Sequence, residues 1–142
     1  MSDNARTFSA RWRVEVLERL ARRSRQLDVS RSRLAERYLD EGLKMDEFPG
    51  IVFRDGPTGR RAGLIGGLDV WEMVQTLKTS SRQGDEAITE TAELLNLSEA
   101  QVRNGVRYYA AFPDEIDRRI EANAEGAEAA EAAWKREQAI LG

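Results

Sequence analysis

Near its start the sequence changes period once, and that change limits what it can fold into. Phe8, Ala10 and Trp12 alternate with Thr7, Ser9 and Arg11, the pattern of a strand with one buried and one exposed face. The spacing then lengthens: Val16, Leu17, Leu20, Arg23 or Ser24, and Leu27 fall on one side of a helix that Asp28 and Val29 end. Ser30 is a good N-cap for a second helix, which carries Leu34, Tyr38, Leu39 and Leu43 inward and frays at Gly42. A strand this short does not fold alone. One strand and two short helices cannot close a core within one chain, but two chains can, by pairing strands and interlocking helices. An obligate homodimer is therefore expected over residues 1–46.

Charge separates the two ends. The formal net charge is −3, yet between Arg6 and Arg37 there are ten arginines against four acids, Glu15, Glu18, Asp28 and Glu36. From Gly84 onward acids outnumber bases. One end suits a polyanion and the other a basic partner. The chain has no histidine and no cysteine, which removes the usual zinc ligands, the commonest general base and the thiol nucleophile. Asp and Glu are plentiful, but no nucleophile–base pair or phosphate-binding glycine motif accompanies them, so neither an enzyme nor a bound cofactor or metal is expected. The start lacks the apolar core of a secretory signal and no apolar run reaches membrane-spanning length, so a cytoplasmic protein is expected.

Paired strands of such a dimer would present Thr7, Ser9 and Arg11 from each chain as a two-stranded ribbon that fits a DNA major groove. From about Arg6 to Leu43 the sequence resembles the ribbon-helix-helix repressors, the class of Arc and MetJ, most specifically in Val29-Ser30-Arg31-Ser32, preceded by Leu27 and Asp28. The resemblance implies that Thr7, Ser9 and Arg11 read bases. It also implies that the start of the second helix, Ser30, Arg31 and Ser32, holds a phosphate, as a helix N-terminus suits an anion in any case. Arg13 stands where many members have proline. The bland alternatives are an exposed solubilising charge at Arg11 and a plain cap at Ser30. Arg19, Arg22, Arg23, Arg25 and Arg33 more often mark solvated faces.

Residues 45–67 are punctuated by Pro49, Gly50, Gly56, Pro57, Gly59, Gly63, Gly66 and Gly67. Asp55 to Gly59 reads as a turn between strands over 51–54 and 60–65. Asp69 caps a helix through Trp71, Val74 and Leu77 to about Lys78. A polar connector, Ser80 to Gly84, leads to a helix with Ile88, Ala92, Leu94 and Leu95. Asn96 and Leu97 turn the chain, and Ser98 caps a helix containing Val102, Val106, Tyr109 and Phe112. Ala92, Asn96 and Val102 supply the small residue, turn residue and apolar clamp of a helix-turn-helix. Pro113 opens a further helix to about Ala124.

From Pro49 to Ile116 the chain resembles the small antitoxin domain catalogued as domain of unknown function 433. The likeness lies in Pro49-Gly50-Ile51-Val52-Phe53, the turn with Gly56 and Gly59, and Leu97-Ser98 to Val102 followed by Tyr108 to Glu115. Arg60-Arg61-Ala62-Gly63 stands in place of that family's Gly-Thr-Arg signature. Relatives pair with PIN-like ribonuclease toxins, so the resemblance implies such a toxin as partner. Gln101, Arg103, Asn104 and Arg107 would make a second DNA reader or the wet face of a helix; nearby Glu90, Glu93 and Glu99 favour the wet face. Tyr108 and Tyr109 are expected to pack rather than stack on bases.

The fold class expected is mainly α with short β: a ribbon-helix-helix as a swapped dimer (1–46), a β-hairpin plus helix-turn-helix-like domain (47–124), and an Ala- and Glu-rich helical tail (125–142). The tail, with Trp134 and Ile140, either lies in a partner's groove or makes a plain dimer contact. A basic side chain inserted into a carboxylate-lined nuclease site would block it, and the candidates are Arg118, Arg119, Lys135 and Arg136. The function expected is a type II antitoxin that binds double-stranded operator DNA to repress its own promoter and neutralises a PIN-like toxin directly, assembling further with it. The alternative is a stand-alone regulator whose second domain oligomerises or senses a ligand.

Overall fold

The computed structural model describes residues 4–56 and 59–142; the expected turn residues Pro57 and Thr58 lie outside the described residues. The elements run α1 (Val14–Leu27), α2 (Arg31–Glu47), β1 (Ile51–Arg54), β2 (Arg61–Leu64), α3 (Val70–Thr79), α4 (Gly84–Leu95), α5 (Glu99–Ala111) and α6 (Pro113–Leu141). The chain is thus mainly helical with one small antiparallel sheet. It divides into two compact units, Met1–Gly42 and Leu43–Gly142. The division falls inside α2, earlier than the expected boundary after residue 46. Among the described residues no helix is long and apolar enough to cross a membrane.

In the first unit, α1 ends where expected. Asp28 takes the left-handed conformation at φ 53°, which lets the Val29 amide donate back to the Ser24 carbonyl at 3.1 Å and closes the last turn. The Ser24 hydroxyl is buried and donates to the Val29 carbonyl, fixing the same corner. Residues 4–13 form no strand, in contrast to the expectation for Phe8 to Trp12. A strand exists by its ladder, and a single chain offers this segment no neighbour. Gly42 does not fray α2: a helical glycine costs about 1 kcal/mol relative to alanine, and Leu43, Lys44, Met45 and Glu47 after it are strong helix formers. The helix instead stops ahead of Pro49, whose ring disfavours helical backbone at Phe48, and of Gly50 at φ 94°.

The second unit is built on the hairpin, in which Ile51 pairs with Leu64 and Arg54 with Arg61. Ile51, Ala62 and Leu64 from the sheet meet Val70, Met73 and Val74 of α3, Val102 and Tyr108 of α5 and Ile116 of α6 in one core. Asn96, at φ 54°, terminates α4. Ser98 then opens α5 with a capping box: the Gln101 amide donates to Ser98 Oγ at 3.1 Å, and the Ser98 amide donates to Gln101 Oε1 at 2.8 Å. Leu94 does not join the core but is exposed. At Gly105 a Cβ would stand 2.3 Å from Met73 Cε and 3.3 Å from Leu64 Cδ2, so the bare backbone sets how closely α5 approaches α3 and the sheet.

Tyr108 is fully buried, as a packing residue, edge-on to Phe48 with ring centroids 5.5 Å apart. Its hydroxyl donates to Glu115 Oε2 at 2.6 Å, and Lys44 Nζ donates to Glu115 Oε1 at 3.1 Å while lying 4.5 Å from the Phe112 ring centroid. This cluster ties the end of α2 to α6. Pro113 is the first residue of α6, as expected, but the helix does not end near Ala124; it continues to Leu141. Ala and Glu dominate the continuation and are strong helix formers, so Gly126 alone does not stop it. Ile116 is buried and Ile120 packs on the core, whereas every residue from 121 onward is exposed.

Candidate functional site

The residues expected to act fall into two places, and the structure adds another between them in the chain. The first is the open face of the N-terminal unit. Between α1 and α2 lies a groove of about 750 Å³, with Trp12, Leu17, Leu20, Tyr38 and Leu39 on its walls and Arg19, Arg22 and Arg23 along it. Of the side chains expected to point inward, Val16, Leu17, Leu20, Arg23, Tyr38 and Leu39 line it, whereas Leu27, Leu34 and Leu43 do not, Leu34 being buried and Leu43 exposed. The groove stays wet in the single chain, with Trp12 53% and Leu39 54% exposed, and Phe8 on the segment ahead of it is 79% exposed. Of residues 4–42 only Ser24, Leu34 and Glu41 are buried, and one of these three is apolar.

Thr7, Ser9 and Arg11 are all exposed on the segment that precedes α1. Ser30 sits just before α2 and accepts the Arg33 amide on its Oγ at 3.2 Å, while its carbonyl accepts the Leu34 amide at 3.0 Å. The amides of Arg31 and Ser32 belong to the first turn, where helix geometry provides no intrahelical acceptor. Both residues are exposed, and the first turn of α2 contains no acid. Its donors and positive dipole end are therefore unopposed toward an anion.

The second place was not legible as a site in the sequence. Asp69 was expected to cap α3, but its side chain makes no capping bond. It is instead buried, 7% exposed at the side chain, and receives Arg54 Nη2 on Oδ1 at 3.2 Å and Arg61 Nε on Oδ2. Arg54 also donates to the Leu68 carbonyl at 3.1 Å. The signal that reveals this arrangement is the hairpin register: Arg54 and Arg61 are directly opposed, and like charges across a strand pair repel unless an anion bridges them. Glu72, one turn into α3, feels both its partial burial and the nearby Asp69 charge, and its carboxyl is held above the usual range despite the two arginines.

The third place is α6. Of the basic candidates, Arg119 is engaged, donating to the Arg60 carbonyl at 3.1 Å. Lys135 pairs with Glu131 at 2.9 Å, and Arg118 and Arg136 are exposed. At about 100° per residue, Arg118 and Arg136 share one direction, about 160° around the helix from Trp134, with Ile140 about 120° from it. A partner that engages Arg118, Arg136 and Ile140 therefore meets a different face from one that engages Trp134. Just upstream, Asp117 accepts the Tyr109 hydroxyl at 2.7 Å and Lys78 Nζ at 3.2 Å, and these two bonds hold its carboxyl below the usual range.

On α5, Arg103 pairs with Asp85 at 2.9 Å and Gln101 Nε2 donates to the Ile65 carbonyl at 3.0 Å. Two of the four polar residues weighed as a second DNA reader are thus turned to contacts within the fold. No protein-family model matches the chain, and no curated protein or solved structure matches it either.

Proposed function

We propose that the chain is an antitoxin-type regulator that dimerises through its first unit, binds double-stranded operator DNA to repress its own promoter, and neutralises a PIN-like ribonuclease toxin by direct binding. The observation that carries this reading is the unfilled groove between α1 and α2. Its walls are mainly apolar, its own helices do not fill it, and the described segment ahead of α1 has neither a core nor a strand neighbour. A second copy supplies both at once: its leading segment pairs with Thr7 to Trp12, and its helices bury Trp12, Leu17, Tyr38 and Leu39.

In that dimer Phe8, Ala10 and Trp12 face inward, and Thr7, Ser9 and Arg11 of both copies lie outward on one ribbon. Arg11 contributes base discrimination of about 1 to 3 kcal/mol per bidentate contact, and the amides after Ser30 hold a phosphate on either side. The second unit and α6 meet the toxin, with Arg118, Arg136 and Ile140 as the contact face and either arginine as the side chain that blocks a carboxylate-lined site. The resemblance of residues 49–116 to the antitoxin domain 433 motivates the toxin part of this reading.

The test is fluorescence anisotropy on the DNA upstream of the chain's own coding sequence and on a scrambled duplex of equal length. The full chain should prefer the upstream duplex, and Arg11→Ala should lose most of that preference while still binding both. Equal affinity of the unaltered chain for both duplexes would overturn the operator reading.

A further inference from the structure

We propose that the distal half of α6 is a self-association helix, which pairs antiparallel with the same segment of a second copy through the stripe Ala127, Ala130, Trp134 and Leu141. The proposal does not depend on operator or toxin binding. Trp134 lies eighteen residues after Ile116, about five whole turns, so the two point in the same direction. Ile116 is buried in the core of its unit, and Ile120 packs against that core. The stripe that the fold uses as far as Ile120 thus continues past the domain, where Trp134 is left 58% exposed and Leu141 76%. Apolar side chains repeated on the buried face of a helix that has outrun its own domain fit a second helix laid along it.

The occupant follows from shape and charge. The middle of the stripe is small, Ala127 and Ala130, with Gly126 and Ala133 on one flank, so another helix can approach closely there; the end of the stripe is large, Trp134. Two copies running in opposite directions about a centre near Ala130 set each Trp134 on the partner's Ala127–Ala130 section, large against small at both ends. Charge gives the same direction. Glu121, Glu125 and Glu128 precede the centre without a base among them, whereas after it Lys135 and Arg136 offset Glu131 and Glu137. Antiparallel pairing about Ala130 brings each Lys135 within one turn of the partner's Glu128, whereas parallel pairing stacks glutamate on glutamate. Lys135 already leans toward this side, paired with Glu131 at 2.9 Å.

The absence of native cysteines allows a direct test on the full chain. Ala130→Cys is expected to form a disulfide-linked pair on mild oxidation. Asn123→Cys and Gln138→Cys, each near one end of the stripe, are expected not to link to themselves but to link to each other when mixed. Adding Trp134→Glu to Ala130→Cys should reduce linking at least tenfold, with helix content by circular dichroism unchanged. Self-linking of Asn123→Cys as fast as Ala130→Cys would overturn the antiparallel pairing. Linking of Ala130→Cys that is no faster than that of a cysteine at exposed Ala129, on the opposite face, would overturn the self-association itself.

Discussion

A buried carboxylate between two guanidinium groups joins three elements of the second unit. Arg54 and Arg61 repel across the hairpin, and Asp69 joins them to the start of α3, so one side chain holds strand to strand and sheet to helix. Removing one partner from a fully buried pair costs about 3–5 kcal/mol. The arginines here keep 34% and 22% exposure, which screens part of that, so Asp69→Asn should lower stability by about 2 kcal/mol in urea denaturation. Glu72 shows the opposite effect. Its carboxyl titrates above the usual range, so folding favours the protonated form, and its ionisation subtracts from stability as pH rises through that elevated range. Glu72→Gln should therefore raise the melting temperature at neutral pH, with a gain under about 1 kcal/mol at this partly exposed site. The gain should fade as pH falls through the carboxylate range, because the native side chain is then already neutral. A gain that grew toward low pH would contradict the assignment.

Elements with chemical punctuation were legible in the sequence, and those that depend on another chain or on distant partners were not. Ser98 as a cap and Asn96 as a turn residue made the corner between α4 and α5 legible, and the structure adds the reciprocal bond from Gln101 and the left-handed backbone at Asn96. Ser98→Ala removes the acceptor for the Gln101 amide and should cost about 0.5–2 kcal/mol by thermal or chemical denaturation. The fraying expected at Gly42 and the helix end expected near Ala124 do not occur, because strong helix formers flank both positions, while the tail beyond 124 is helical as its Ala- and Glu-rich composition predicts. Asp69 was placed correctly ahead of α3, but its role depended on Arg54 and Arg61, fifteen and eight residues upstream, brought together only by the hairpin register. The leading segment shows the limit in the other direction. Its alternation is plain in Phe8, Ala10 and Trp12, yet strand is a property of a pair, and residues 4–13 of one chain remain unpaired.

For the whole molecule, the net charge of −3 and the proposed attraction to a polyanion conflict only if charge is averaged along the chain. Screening at physiological salt confines a charge's influence to about 8 Å. What a duplex at the first unit would meet is therefore the local balance, ten arginines against four acids between Arg6 and Arg37, and not the average of the chain. Two copies joined by the groove double the number available, and a dimer neutralising six to ten phosphates should lose about 10³ to 10⁵ in affinity between about 50 and 200 mM salt. The same reasoning ties DNA binding to assembly. Leu39→Glu places a charge in the groove wall without touching Thr7, Ser9 or Arg11, and it should disrupt assembly through the first unit and weaken duplex binding together. Sedimentation velocity and anisotropy, measured on the same samples across the salt series in a Trp134→Glu background that removes pairing through α6, read both. A Leu39→Glu chain whose groove no longer supports assembly but which keeps the parent's affinity and salt slope would show that a single copy holds the duplex, and the paired ribbon would have to be given up.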